Sequence, residues 1–185
     1  MNLYFYGGSF DPPHLGHKAI VDFFIDKADK FLVVPSYKSP LKNRTPISYY
    51  HRQNMLNLML PEFSNKLAIT DIEIKNEILY TVDTVALLEK KYQGYEKHMI
   101  LGGDQYENFS KWKDYNYILN NVNLHVVVRP NYKINFDDDR IHFTHEINMD
   151  ISSDFIRSSL VKNGSVDSFV NDEVLNYIKI NNLYV

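Results

Sequence analysis

Short apolar runs alternate with longer stretches of helical period along the whole sequence, and no other feature restricts the fold as much. The first run, residues 3–6, reads Leu-Tyr-Phe-Tyr and stops at Gly7-Gly8. Residues 16–28 then place Ala19, Ile20, Phe23 and Phe24 at helical spacing. A second run at 31–34 ends at Pro35, and Ser48 can cap a helix carrying Met55, Leu56 and Met59 before Pro61 stops it. Residues 67–74 alternate apolar and polar side chains as a half-buried strand does, and 81–92 are helical with Val82, Val85, Leu87 and Leu88 along one side. Runs at 98–101 and 125–128 predict two more strands with a helix around 115–119 between them. Residues 131–140 read as a polar loop and 140–147 as a last strand, followed by helices near 153–162 and 172–181. Apolar runs joined by amphipathic crossovers are what a parallel sheet buried on both faces requires. The predicted fold class is α/β, a doubly wound and mostly parallel sheet with helices on both faces, in a single domain over residues 1–185.

Composition narrows the chemistry. Hydrophobic residues make up 44% and charged residues 23%, which excludes a disordered or fibrous chain. A net charge of −3 gives no general attraction to nucleic acid, so no nucleic-acid partner is expected and any basic site has to be local. Lysines outnumber arginines 15 to 5, so each arginine is the more informative. The absence of cysteine removes disulfides, thiolate zinc sites, iron–sulfur clusters and a cysteine nucleophile. The first residues lack a basic leader pattern, and no stretch approaches the roughly 18 apolar residues of a membrane span. A cytoplasmic protein with no membrane partner is expected.

Ligands of such sheets sit beyond the carboxyl ends of the strands, where the strand order reverses. The first predicted strand runs into Gly7-Gly8-Ser9-Phe10-Asp11-Pro12-Pro13-His14-Leu15-Gly16-His17, and a helix follows. The two glycines let a ligand approach the backbone and permit positive φ. Asp11-Pro12-Pro13 makes a rigid bend. The helix start offers unpaired N–H groups and a positive dipole end, which suit an anion. His14 and His17 share a face near that start, and both can donate to phosphate oxygens. The segment matches neither the Walker nor the G-x-G-x-x-G pattern. A metal site on H-x-x-H needs a third ligand that the sequence does not suggest. A turn with two surface histidines is the plainer reading. The strand, both glycines and the proline pair together argue against it.

These residues resemble the G-G-[ST]-F-D-P-x-H-x-G-H signature of the nucleotidyltransferase superfamily of Rossmann-like folds. Over the whole chain the sequence is similar to the bacterial nicotinate-nucleotide adenylyltransferases. The family element P-x-x-x-P-P-H-K appears as Pro35-Ser36-Tyr37-Lys38-Ser39-Pro40-Leu41-Lys42, with Ser39 and Leu41 departing from it. His51-Arg52-Gln53-Asn54-Met55-Leu56 matches H-R-x-x-M-L, and Tyr80, Thr81 and Thr84 match S-Y-T-x-x-T-L with Leu79 in place of the serine. Gly102-Gly103-Asp104 corresponds to a G-x-D element and Trp112 to the tryptophan after it, while Lys113 stands where a tyrosine is common. Arg129-Pro130 and Ile151-Ser152-Ser153-Asp154-Phe155-Ile156-Arg157 match the remaining elements, with Asp154 replacing a threonine. Asn182-Leu183-Tyr184 resembles the family's usual ending.

The resemblance implies transfer of AMP from ATP to nicotinate mononucleotide with magnesium, giving deamido-NAD and pyrophosphate. It implies ATP contacts from Gly7, Gly8, Ser9, Phe10, Asp11, Gly103, Asp104, Ile151, Ser152 and Arg157. It implies catalytic roles for His14, His17, Lys42 and Arg157, and mononucleotide contacts from Lys42, Arg52, Tyr80, Thr81, Trp112, Lys113 and Arg129. The attacking phosphate is already an anion, so catalysis rests on positioning and charge neutralisation rather than on a side-chain nucleophile or base. Magnesium would bridge ATP phosphates with few protein ligands.

Plainer readings stand beside these. Lys42 alone is a solvated loop lysine, Trp112 a packed aromatic, Asp104 a helix cap, and Arg52 a solvated helix face as readily as a substrate contact. Asp154 is expected to cap its helix rather than face a triphosphate. Asp137-Asp138-Asp139 reads as a solvated loop tip rather than a metal cluster. The functional alternatives are another adenylyltransferase of the superfamily, of dual-specificity or pantetheine-phosphate type, and a catalytically silent nucleotide sensor. Trp112 with Tyr80-Thr81 argues against the pantetheine type, and His14, His17, Lys42 and Arg157 together argue against the sensor. The sequence leaves room for a homo-oligomer.

Overall fold

The computed structural model describes residues 1–38, 44–60, 65–128, 138–147 and 151–185. Among them the strands β1 (Asn2–Gly8), β2 (Lys30–Pro35), β3 (Leu67–Ile69), β4 (Glu96–Gly102), β5 (Asn123–Val127) and β6 (Ile141–Thr144) form one sheet in the order β3-β2-β1-β4-β5-β6. Every pairing in it is parallel. The helices are α1 (Leu15–Phe24), α2 (Tyr49–Met59), α3 (Ile72–Lys75), α4 (Thr81–Lys91), α5 (Gly103–Tyr106), α6 (Tyr115–Asn121), α7 (Ser153–Val161) and α8 (Asp172–Ile180).

The two-residue period of a strand sends alternate side chains to opposite faces, and here both faces are apolar. In β1, Tyr4 and Tyr6 enter one core with Phe31 and Val33 of β2, while Leu3 and Phe5 enter the other with Leu32 and Val34. The first core is closed by Val21 and Phe24 of α1, Met55, Leu56 and Met59 of α2, Ile156 of α7 and Val174, Leu175 and Ile178 of α8. The second is closed by Ile72 of α3, Val82, Val85 and Leu88 of α4, and Ile118 and Leu119 of α6. Each fully buried Leu or Phe contributes about 1.5–3 kcal/mol, so β1, buried on both sides, is a firm platform for the loop that follows it.

Two expectations need correction. Residues 67–74 are not one strand: β3 ends at Ile69, and Ile72 and Ile74 lie in α3. The last ladder bond runs from Thr70 N to Val33 O, and Thr70 Oγ1 then accepts the N–H of Ile72, turning the chain into a helix. The helix predicted over 16–28 stops at Phe24, and Ile25–Lys27 continue as a tight 3₁₀ turn. Ser48 caps α2 as expected, its Oγ accepting the His51 N–H.

β1 passes through α1 to β2 on one side, whereas β4, on its other side, continues to β5 and β6. The order reverses between β1 and β4, and a crevice opens beyond their carboxyl ends.

Candidate active site

Two cavities meet at that crevice, one of about 600 Å³ and one of about 350 Å³, sizes that suit small-molecule ligands. Gly7, Gly8, Ser9, Asp104 and Gln105 border both. The residues expected to hold ATP all border the larger: Gly7 through Asp11, Gly103, Asp104, Ile151, Ser152 and Arg157, together with His14 and His17. Tyr80, Thr81, Trp112 and Lys113 border the smaller.

The loop after β1 shapes the larger cavity. A Cβ on Gly7 would meet nothing within 4 Å, so its missing side chain is space left open beside the backbone. The left-handed position expected of a glycine falls instead on Phe10, at φ +49. Its ring, 1% exposed, sits edge-on to Tyr6 with centroids 5.4 Å apart and lies 3.1 Å from where a Gly8 Cβ would stand. That burial maintains an unfavourable backbone conformation at the ligand-facing turn. Asp11 is expected to touch ATP, but its carboxylate is already engaged by the protein. Oδ2 accepts from Arg44 at 2.9 Å and Oδ1 from the Tyr184 hydroxyl at 2.7 Å. Arg157 donates to the Asp11 carbonyl, and Ser153 Oγ donates to the Pro12 carbonyl at 2.9 Å, so the start of α7 is tied to this loop.

His14 is the N-cap residue of α1 and His17 the third residue of the helix. His17 Nδ1 accepts the His14 backbone N–H at 3.1 Å, half of a capping box. Burial holds the His14 imidazole down to about 4, so it is neutral near pH 7. Among the described residues its Nδ1 is buried without a hydrogen-bond partner.

Asp154 does not cap α7. Ser152 does, its Oγ accepting the Phe155 N–H at 3.2 Å, because the serine holds the extended N-cap position two residues earlier. Asp154 lies in the first turn, its side chain 85% exposed, and pairs with Arg157.

The smaller cavity carries a flat ring and cationic walls. Trp112 meets Phe109 edge-on at 5.5 Å, and its Nε1 is buried with no partner among the described residues. Lys113 Nζ lies 4.8 Å from the Tyr80 ring centroid and 3.9 Å from the Asp83 carboxylate. Lys38, Lys111 and Glu73 also border this space. Glu73 Oε1 accepts the Thr84 hydroxyl at 2.8 Å and Oε2 the Tyr37 N–H at 3.3 Å, while burial pushes its carboxyl above the ordinary range.

Arg52 is expected to touch the mononucleotide, but the structure puts it beneath the loops. It is 1% exposed, and its Nε, Nη1 and Nη2 donate to the carbonyls of Ile47, Ser9 and Ser36 at 3.0, 2.8 and 2.8 Å. It joins the loops after β1 and β2 to the approach to α2. Lys42 and Arg129 lie outside the described residues, as does Asp137. Sequence reasoning missed Arg44, Lys38, Lys111, Glu73 and the engagement of Tyr184. Only the scarcity of arginine pointed toward Arg44. Among the described residues, no group of three or more His, Asp or Glu could hold a metal ion, and no helix is long and apolar enough to cross a membrane.

The cytidylyltransferase-like family model matches residues 5–163, and the chain belongs to that family. It is 35% identical over 196 residues to the probable nicotinate-nucleotide adenylyltransferase of Borrelia turicatae, covering 100% of this chain and 98% of that one. The corresponding protein of Leptospira interrogans is 33% identical over 97% of this chain and 94% of its own, and that of Aquifex aeolicus 40% over 67% and 75%. Within the cytidylyltransferase-like proteins, the chain belongs to the nicotinate-nucleotide adenylyltransferases. The fold is that of Plasmodium falciparum nicotinic acid mononucleotide adenylyltransferase solved with NaAD, at a TM-score of 0.84 and 22% identity over 99% of this chain and 97% of that one.

Proposed function

We propose that the protein transfers the adenylyl group of ATP to nicotinate mononucleotide in the cytoplasm, releasing pyrophosphate and forming deamido-NAD. The observation that carries this reading is the junction of two cavities of different character over Gly7, Gly8, Ser9, Asp104 and Gln105. The larger, with His14, His17, Arg44 and Arg157 on its walls, suits a triphosphate. The smaller, with Trp112 beside Lys38, Lys111 and Lys113, suits a flat anionic ring. Relatives at 33–40% identity are named for the same reaction.

An oxygen of the mononucleotide phosphate attacks the α-phosphorus of ATP. The bond from that phosphorus to the β-bridging oxygen breaks, and pyrophosphate leaves with the electron pair. Both reactants are anions, so the protein lowers the barrier by aligning them and neutralising charge. The open backbone at Gly7 admits the phosphates, His14 and His17 donate to their oxygens, and Arg157 grips the distal groups. Lys42 meets the α-phosphate or the incoming phosphate, and Asp104 holds the ATP ribose. Magnesium would enter with the ATP phosphates and take few protein ligands. It would supply charge neutralisation at the departing pyrophosphate.

Pyrophosphate release from magnesium–ATP, measured with nicotinate mononucleotide, nicotinamide mononucleotide and phosphopantetheine, tests the reading. The acid mononucleotide is expected to be used at least about tenfold better than its amide, the size of one hydrogen bond to a charged group. Equal use of both sinks the acid-specific assignment. ATP binding without release from any acceptor indicates a sensor.

A further inference from the structure

Asp11 is 3% exposed, and its two carboxylate oxygens serve different partners. Oδ1 accepts the Tyr184 hydroxyl at 2.7 Å. Oδ2 accepts from Arg44 Nη1 at 2.9 Å and lies 3.9 Å from Arg157 Nη1. Arg44 and Arg157 both border the larger cavity, and each opposes charge on the other. An anion that is itself held fixes the spacing of two like charges, here beside the bonds of Arg157 to Asp154 and to the Asp11 carbonyl. The terminal torsion of an aspartate is soft, so a carboxylate gripped by arginine at one oxygen still turns. The Tyr184 hydroxyl removes that freedom by holding the other oxygen.

The chain beyond α8 is bent to deliver this hydroxyl. Leu183 N–H donates to the Ile178 carbonyl at 3.0 Å, and Tyr184 sits at φ +62, a left-handed conformation unfavourable for a bulky side chain and maintained by its contacts. Burial and the neighbouring Asp11 carboxylate push the phenol up from its ordinary value, so it stays a donor.

We infer that Tyr184 is a positioning residue for polyphosphate binding: through Asp11 it sets Arg44 and Arg157 as a pair that grips the phosphates of the nucleotide. The identity of that nucleotide as ATP rests on the proposed reaction, whereas the anion grip stands on the contacts themselves.

Tyr184→Phe removes one oxygen and keeps the ring. Calorimetry of the whole protein with inorganic triphosphate then reads the arginine pair without any transfer chemistry. The variant is expected to bind triphosphate about tenfold more weakly, the scale of one charge-assisted hydrogen bond. KM for ATP should rise in parallel and KM for the mononucleotide stay unchanged, because Arg44 and Arg157 border the larger cavity and not the smaller. A merely structural tyrosine would lower the melting temperature and the active fraction while leaving both constants alone. That result overturns the proposal, as does unchanged triphosphate affinity. Should Tyr184→Phe fail to fold, Arg44→Gln, at a side chain 47% exposed, tests the same pair: it must also weaken triphosphate binding, and unaltered affinity refutes the grip. Parent protein that binds triphosphate in a Tyr184-dependent way yet transfers no AMP would refute the reaction and leave this inference standing. Transfer with Tyr184-independent triphosphate binding would do the reverse.

Discussion

His17 Nδ1 accepts the backbone N–H of His14 at 3.1 Å, and the two rings stack with centroids 3.6 Å apart. An accepting nitrogen carries no proton, so this bond places the proton of neutral His17 on Nε2. His14 is neutral as well, and two uncharged rings can stack where two imidazolium ions would repel. The pair is thus oriented before any phosphate arrives.

His17→Ala should lower kcat by roughly 10²–10³, the scale of losing one preorganised donor to a developing charge. KM for ATP should change much less. Steady-state pyrophosphate release measures both, and a nearly normal kcat would remove His17 from the mechanism.

Asp154 neutralises Arg157 from an exposed position in the first turn of α7. A triphosphate reaching Arg157 has to compete with that carboxylate, since both want the same guanidinium. Asp154→Asn keeps the shape and removes the charge, and Ser152 still caps the helix. KM for ATP should fall several-fold with little change in thermal stability, because an exposed ion pair contributes at most about 1 kcal/mol. An unchanged KM would show that the pair opens at no cost to the nucleotide.

Lys113 bears on substrate choice. Its ammonium borders the smaller cavity, over Tyr80 and near Asp83, in a space shared with Trp112, whose Nε1 has no partner among the described residues. If it attracts the pyridine carboxylate, Lys113→Ala should reduce kcat/KM about three- to tenfold for nicotinate mononucleotide alone. Equal losses for the acid and amide substrates would assign the lysine to Tyr80 and Asp83 instead.

On the sheet face that carries Tyr4, His98 Nδ1 and His125 Nε2 are 3.0 Å apart, and the His142 ring stacks on His125 with centroids 5.0 Å apart. Burial first, then His98, His142 and Lys27, hold His125 down to about 3; burial lowers His98 as well. In the unfolded chain these rings take up protons near 6.5, so as pH falls below that value the unfolded state binds more protons than the folded one. Stability is fully present above about pH 6.5 and drains away toward pH 3 for His125 and pH 4 for His14. Urea midpoints should therefore drop between pH 7 and pH 5. His125→Phe, which keeps a flat ring against Tyr4 and Phe24, should narrow that drop, and an unaltered gap would place its source elsewhere.

Much of the architecture is written in local pattern. The run Leu3–Tyr6 is apolar on both faces, as a covered parallel strand requires, and the residues after it read as a turn suited to an anion. Ser48 signals its helix because capping involves neighbours three residues apart. Local pattern fails where competing partners are distant. The alternation at 67–74 suits a strand or the start of a helix equally, and Thr70 and Glu73 decide it through bonds to Val33, Tyr37 and Thr84. Arg52 reads as a solvated or substrate-facing helix residue, yet three carbonyls from three loops converge on it. Asp11 reads as a nucleotide contact and does border the larger cavity, but only the fold brings Tyr184, 173 residues away, onto its carboxylate. The sequence by itself determined most of the strands and helices and named many of the residues that line the two cavities, because periodicity and short motifs act over a few residues. Which of those groups face the ligand and which hold the others in place only the tertiary structure decided, because hydrogen-bond donors and charges are claimed by whatever the fold brings within 3 Å of them.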